Sequence, residues 1–116
     1  MNPPYLDKRE YGPELKTFLA RYYPESRGNL FGAFLQRMVE FCRPGGRWAA
    51  ITPQSWLYLR SYVRLRRFMI EENCLDLMIH FGMGVFAETV DTAAMIGRRQ
   101  PQADWKLVCV DLFTWH

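Results

Sequence analysis

The 116-residue sequence is poor in the residues that build disulfide, metal and nucleophilic sites. It has two histidines and three widely separated cysteines, Cys42, Cys74 and Cys109, with no CxxC pair. The odd cysteine count argues against a disulfide framework and favours a reducing cytoplasm. No His/Cys/Asp spacing is typical of a metal site, so none is expected. Ser55 has no evident histidine and base to activate it, which disfavours nucleophilic catalysis.

Long apolar runs are also missing. No stretch approaches the length that crosses a bilayer, and Pro3, Pro4 and Asp7 occupy the place of a signal peptide's apolar core. Charge is nearly balanced: a net +3 permits nucleic acid binding without requiring it. His80 lies inside an apolar run and is interpreted as a structural histidine, and the arginines at 60, 64, 66 and 67 are interpreted mainly as a solvated helix face.

What is present predicts one α/β domain. Apolar residues at helical spacing predict helices over 13–23, 29–43 and 61–73, and short apolar runs predict strands over 47–52, 75–81, 92–99 and 106–112. The strand–helix–strand order predicts a parallel crossover between the first two strands. The last strands, joined by short loops, are expected to form an antiparallel C-terminal hairpin.

The first residues, Asn2-Pro3-Pro4-Tyr5, predict a rigid extended turn because proline fixes φ and removes a backbone donor. An amide oxygen, free carbonyls and an aromatic face held together could grip a planar group that carries an amino nitrogen. A disordered N-terminal tail is the alternative from these residues alone. Sites in open α/β sheets form at the carboxyl ends of strands. TPQSW and GMGVF each follow a predicted strand and are expected at that edge.

NPPY is followed by NLFGAF at 29–34, PGG at 44–46, ITP at 51–53, Trp56 and GVF at 84–86. In this order and spacing the sequence resembles the amino-methylating, N6-adenine DNA methyltransferases, most closely the TaqI-type and phage-exclusion-type enzymes. The resemblance covers about residues 1–100. It implies a partial class I methyltransferase (Rossmann-like) fold, a cytoplasmic restriction-modification or phage-defence role, S-adenosylmethionine as cofactor and duplex DNA with a flipped adenine as substrate.

The resemblance also implies roles for single residues. Asn2 and the Pro3 carbonyl would accept hydrogen bonds from the adenine amine, within the catalytic NPPY segment of Asn2, Pro3, Pro4 and Tyr5. Tyr5 and Phe86 would stack on the flipped base. Phe34 would line the pocket for the cofactor's adenine, with packing on a helix as its alternative.

The sequence departs from the family pattern before NPPY, where members carry a strand, a glycine-rich turn and acidic residues that hold the cofactor. Met1 directly precedes Asn2, and the GMG at 82–84 precedes no evident helix. Residues 1–116 are therefore expected to be the C-terminal part of a catalytic domain without its cofactor-binding half, which a partner chain could supply. An inactive remnant that binds nucleic acid or a subunit is the alternative, and amino-methylation of cytosine, RNA or protein glutamine also remains open.

Overall fold

The computed structural model describes residues 1–85 and 90–112. The helices are α1 (Pro13–Tyr22), α2 (Leu30–Phe41) and α3 (Val63–Ile70), and the strands are β1 (Arg47–Pro53), β2 (Cys74–Gly82), β3 (Thr92–Arg98) and β4 (Val108–Asp111). Short 3₁₀ turns occupy Lys8–Glu10, Gln54–Leu57 and Arg60–Tyr62. The order of elements is the predicted one, and the mixed α/β fold class is confirmed.

The core forms where α2 and α3 cover the sheet. Asn29 caps α2, and a turn at Pro44-Gly45-Gly46 follows its end, with Gly45 at φ 74°. The buried side chains come from α2, α3 and the first three strands: Phe31, Leu35, Met38, Val39, Trp48, Ala50, Leu65, Met69, Leu75 and Met95. On α1 only Leu19 is buried, whereas the predicted inward residues Phe18 and Tyr22 are about half exposed, at 48% and 54%.

The strand order is β1-β3-β2-β4, and β3 runs antiparallel to both of its neighbours. β1 and β2 therefore run parallel and are linked through α3, as predicted, but β3 lies between them in the sheet. Gly97 allows this insertion: a Cβ atom there would overlap the Trp48 ring and the Cys74 carbonyl oxygen. Hydrophobic runs define strands but do not state which strands are neighbours.

The predicted antiparallel C-terminal hairpin is not formed by the last two strands. β2 and β3 are an antiparallel pair, but β4 pairs in parallel with the outer edge of β2. Both edges of β3 are already occupied by β1 and β2, so β4 has no place beside it. Because β3 returns the chain to the starting end of β2, residues 99–107 are enough to begin a parallel strand without a helical crossover.

One end of the sheet contains the carboxyl ends of β1 and β2, where a site is expected. In the register of the sheet, Thr92 at the start of β3 pairs with Pro53 at the end of β1 and with Gly82 at the end of β2. The carboxyl ends of β1 and β2 therefore lie at the same end of the sheet, on either side of the start of β3, as expected for TPQSW and GMGVF. No helix among residues 1–85 and 90–112 is long and apolar enough to cross a membrane.

Candidate active site

The NPPY segment is positioned by hydrogen bonds between Met1 and the outer edge of β1. The Met1 amino group donates to the Ala49 carbonyl at 2.7 Å, and the Ile51 N–H donates to the Met1 carbonyl at 2.9 Å. This is the bonding pattern of a parallel strand pair, with Met1 beside Ala50. The residues after Met1 therefore continue toward the carboxyl end of β1, where the site was expected.

Within the segment, buried and exposed residues alternate in a way that anchors the turn and presents its polar atoms. Pro3 is buried, Asn2 and Pro4 are exposed, and Tyr5 is partly buried. The Tyr5 hydroxyl donates to Asn2 Oδ1 at 3.4 Å. Among the described residues, no hydrogen bond reaches the carbonyl oxygens of Asn2 or Pro3. Amide and carbonyl oxygens thus stand beside an aromatic ring.

The Tyr5 ring is held by an aromatic row that reaches across α2. Tyr5 meets Phe31 edge to face, with centroids 6.3 Å apart, and Phe31 meets Tyr62 with centroids 5.7 Å apart. Both supporting rings are buried, with Phe31 only 1% exposed. Edge-to-face pairs add directional stabilisation to the area they bury. Tyr5 therefore has a fixed ring orientation on a rigid support.

Asn29 fastens the backbone after NPPY to the start of α2. Its Oδ1 accepts from the Leu6 N–H at 3.1 Å and from the Phe31 N–H at 3.4 Å. The Leu30 N–H in turn donates to the Leu6 carbonyl at 2.9 Å, and Asp7 forms an antiparallel bridge with Asn29. The sequence predicted only the helix cap. The second bond could not be read from it, because it depends on a contact with a residue 23 positions away.

The end of β1 is closed by buried polar contacts. Trp56 Nε1 donates to Thr52 Oγ1 at 3.0 Å, and both residues are fully buried. Arg66 donates to the carbonyls of Trp56 and Leu59 at 2.6 and 2.7 Å, which holds the turn that follows. These bonds satisfy groups that would be costly to bury alone. The ITP and Trp56 motif therefore forms a rigid wall at the site edge.

The glycine-rich loop starts at the same edge. Gly82 and Gly84 adopt φ of 77° and 79°, a region that favours glycine. Beyond the loop, Gln54 binds Asp91 twice: Gln54 Nε2 donates to Asp91 Oδ2 at 2.6 Å and the Gln54 N–H donates to the Asp91 carbonyl at 2.9 Å. Phe86, the predicted second stacking residue, lies outside the described residues.

Phe34 does not join this cluster of contacts. It is 39% exposed and lines a separate apolar cavity of about 270 Å³ between α1 and α2, together with Leu15, Phe18 and Ala33. The aromatic of α2 that touches Tyr5 is Phe31 instead. Phe31 belongs to the same NLFGAF motif, and no sequence signal separated the two roles. The predicted cofactor role of Phe34 stays a prediction.

Several of the histidine, cysteine and arginine side chains outside this cluster make structural contacts in the described part of the chain. His80 Nδ1 lies 3.1 Å from Asp111 Oδ1, across the β2–β4 pair. In the described part of the chain, no cluster of His, Cys, Asp or Glu could hold a metal ion. The three cysteines are free, and only Cys74 is buried. On the arginine-rich face, Arg64 pairs with Glu25 at 2.9 Å and Arg67 with Glu71 at 3.9 Å.

Comparisons with known proteins identify the family of the chain. Residues 1–86 match the family described as Eco57I restriction-modification methylase. The chain is 30% identical over 111 residues to the adenine-specific methyltransferase BrxX of Escherichia coli O9:H4 (strain HS) and covers 9% of its length. It is 32% identical over 103 residues to the adenine-specific methyltransferase PglX of Lacticaseibacillus casei (strain Zhang) and covers 8% of it. These matches take in 92% and 85% of the chain.

The fold has a counterpart among solved structures. A Listeria monocytogenes protein described as a class I S-adenosylmethionine-dependent methyltransferase superposes with a TM-score of 0.69 at 13% identity. The match covers 94% of this chain and 35% of that one. At this identity the likeness establishes the fold alone. The chain thus has the fold of part of a class I methyltransferase and spans about a tenth of its curated relatives.

Proposed function

Because the chain belongs to the Eco57I restriction-modification methylase family, we propose that it is the C-terminal part of a catalytic domain that methylates the N6 amino group of adenine in duplex DNA. The enzyme would serve restriction-modification or phage defence. The observation that carries the proposal is the NPPY cluster, with Asn2 Oδ1 3.4 Å from the Tyr5 hydroxyl and free carbonyls at Asn2 and Pro3 among the described residues.

The cluster suits the chemistry of an aromatic amine. The lone pair of adenine's amino nitrogen is delocalised into the ring, so it is a weak nucleophile. Asn2 Oδ1 and the Pro3 carbonyl would accept its two N–H groups and favour a tetrahedral nitrogen whose lone pair is free to attack. Fixed acceptors of this kind act mainly in the transition state. Tyr5 would stack on the extruded base, and Phe86 would cover its other face.

S-adenosylmethionine, when bound, supplies an electrophilic methyl group on a sulfonium sulfur. The described residues fit only one part of that cofactor, its adenine, at the apolar surface around Phe34. Among the described residues that line this cavity, none is a carboxylate that could bind ribose hydroxyls. We therefore propose that cofactor binding needs a further segment, either from a longer chain or from a partner chain.

The outer edge of β1 is where such a segment would join. β1 is an edge strand, and Met1 pairs in parallel with its centre through hydrogen bonds to Ala49 and Ile51. A cofactor-binding half would extend this pairing as a parallel strand. Unpaired strand edges otherwise promote association between copies of a chain. Light scattering of the isolated chain should therefore show self-association that disappears when the complementary half is co-expressed.

The test of the proposed function uses the chain assembled with its cofactor-binding half. Asn2→Ala should lower the methylation rate about 10²-fold, because it removes an acceptor aimed at the amine, while DNA affinity stays nearly unchanged. Tyr5→Ala should weaken capture of the flipped base, which a fluorescent base analogue at the target position reports. Tyr5→Phe keeps the ring but removes the hydroxyl that bonds to Asn2, so it separates stacking from orientation of the amide.

Ser55→Ala is the matched control at the same sheet edge and should methylate at the parental rate. A parental rate for Asn2→Ala would refute the assignment of NPPY as the segment that binds the adenine amine. If the chain bound DNA but did not methylate it, even with its complementary half, the result would instead favour the alternative, an inactive module that binds nucleic acid.

A further inference from the structure

A cavity of about 620 Å³ lies between the segment after Tyr5, α1 and the start of α3. Four cations line it, together with two tyrosines: Lys8, Arg9, Lys16, Arg27, Tyr11 and Tyr62. None of the described lining residues is a carboxylate. A volume of this size suits a small ligand or one unit of a polymer.

Most of this positive charge is uncompensated. Arg9 pairs with Asp7 at 2.8 Å, but Lys8, Lys16 and Arg27 form no ion pair within residues 1–85 and 90–112. These three cations are far apart in sequence. The Lys8 N–H donates to the Gly28 carbonyl at 3.2 Å, which brings Lys8 near Arg27, and Lys16 lines the same cavity from α1. Asp7 lies near Lys8 but already pairs with Arg9, so positive charge remains in excess and an anion bound between the cations would be stabilising.

The cavity also holds a hydrogen-bond donor with no partner. The Tyr11 hydroxyl is buried and has no hydrogen-bond partner within the described part of the chain. Burial raises the pKa of Tyr11 to about 12, so its hydroxyl remains protonated at neutral pH. Buried hydroxyls are normally satisfied, and an unsatisfied one indicates a missing acceptor. Three cations and a neutral donor are the groups that bind a phosphate oxygen.

The cavity is next to the candidate active site. Lys8 follows Tyr5 by three residues, a distance of at most about 11 Å along an extended chain. Tyr62, which lines the cavity, is the last ring of the row that begins at Tyr5 and continues through Phe31. A strand whose base stacks on Tyr5 therefore has its backbone within reach of these cations.

We propose that this cavity binds a backbone phosphate, with its adjoining sugar, of the nucleic acid strand that carries the target base. The choice of nucleic acid over a free anion rests on the proposed function. Contacts of this kind position a strand without reading its sequence. The arginine-rich face of α3 offers less free charge, because Arg64 and Arg67 pair with carboxylates and Arg66 with backbone carbonyls.

The test measures binding of the full chain to a fluorescent 20-base-pair duplex by anisotropy at several salt concentrations. The cavity variant is Lys8→Gln, Lys16→Gln and Arg27→Gln. The control variant removes three exposed cations that do not line the cavity: Arg43→Gln, Arg47→Gln and Lys106→Gln. Both variants lose the same charge, and thermal unfolding verifies that both fold.

Loss of one phosphate contact should reduce the slope of log K against log salt by about 0.9 and weaken binding about tenfold at 0.1 M salt. The control variant should keep the parental slope. Tyr11→Phe should weaken binding without changing the slope, because its hydroxyl is neutral. Equal slopes for the cavity and control variants, or no binding of the duplex by the parental chain, would overturn the proposal.

Inorganic phosphate and adenosine monophosphate distinguish the source of the anion. The Gly28 and Ser61 amide resonances lie at the cavity and should shift with duplex but not with either small anion at equal ionic strength. Shifts at the same concentration for a small anion would make the site one for a free ligand and refute the nucleic acid assignment. Failure of Asn2→Ala to slow methylation would refute the proposed function while leaving these binding results intact.

Discussion

Asn29 is the residue whose loss should most directly loosen the candidate site. Its Oδ1 accepts from Phe31, as the cap of α2, and from Leu6, as the anchor of the segment after NPPY. A lost helix cap costs about 1 kcal/mol, and a lost side chain to backbone bond about 1 kcal/mol more. Asn29→Ala should therefore lower the free energy of unfolding by about 2 kcal/mol. For a chain of this length that corresponds to a drop in Tm of about 8 °C.

Urea unfolding monitored by tryptophan fluorescence measures this change, with the midpoint shifting at constant m. Asn29→Asp is the matched control, since its carboxylate oxygens still accept both hydrogen bonds and suit a helix N-terminus. We expect it to remain within about 0.5 kcal/mol of the parent. If the alanine and aspartate variants were equally destabilised, the loss would come from something other than the acceptor, and the double role of Asn29 would be refuted.

Three further outcomes follow from the described contacts. Gly97→Ala should destabilise the sheet by about 3 kcal/mol in urea unfolding, because the added methyl overlaps Trp48; a stable variant would mean that β3 does not lie as described. Thr52→Val should cost about 2 kcal/mol by leaving the Trp56 N–H buried without a partner, whereas Thr52→Ser should be much milder. Burial raises the pKa of Tyr11 from 10.0 to about 12, so its stabilising contribution is present below pH 10 and is lost as pH rises from about 10 to 12. Tyr11→Phe should flatten that part of the stability–pH curve, and an unchanged curve would show that the phenol titrates normally.

The helices and strands could be predicted from the sequence because each depends on a local residue pattern. Asn29 and the Pro44-Gly45-Gly46 stop delimit α2, and apolar runs mark the strands. The order of the strands in the sheet could not be predicted, because it depends on which strand edges are still unpaired when each strand joins the sheet. Gly97 leaves room for Trp48 on the neighbouring strand, but the sequence does not distinguish it from other glycines in strands.

One part of the candidate site could likewise be predicted from the sequence, and another part could not. NPPY could be recognised as a unit since its residues are contiguous, and the structure places it at the predicted sheet edge. The anion cavity could not, because Lys8, Lys16 and Arg27 share no sequence pattern and come to line one cavity only in the folded chain. Phe31 and Phe34 are three residues apart on one helix, and only packing against α1 and Tyr5 distinguishes them.

The insertion of β3 between β1 and β2 also dictates an order of assembly during synthesis. As the chain leaves the ribosome, β1 emerges with Trp48 and Ala50 exposed, and β2 follows, yet neither has its neighbour in the sheet. Only when residues 92–98 emerge can a β2–β3 hairpin form and then capture β1. Until that moment β1 and β2 lack the neighbour they share, and exposed apolar strand edges of this kind promote aggregation. Deletion of residues 92–98 would therefore leave β1 and β2 without the strand that joins them.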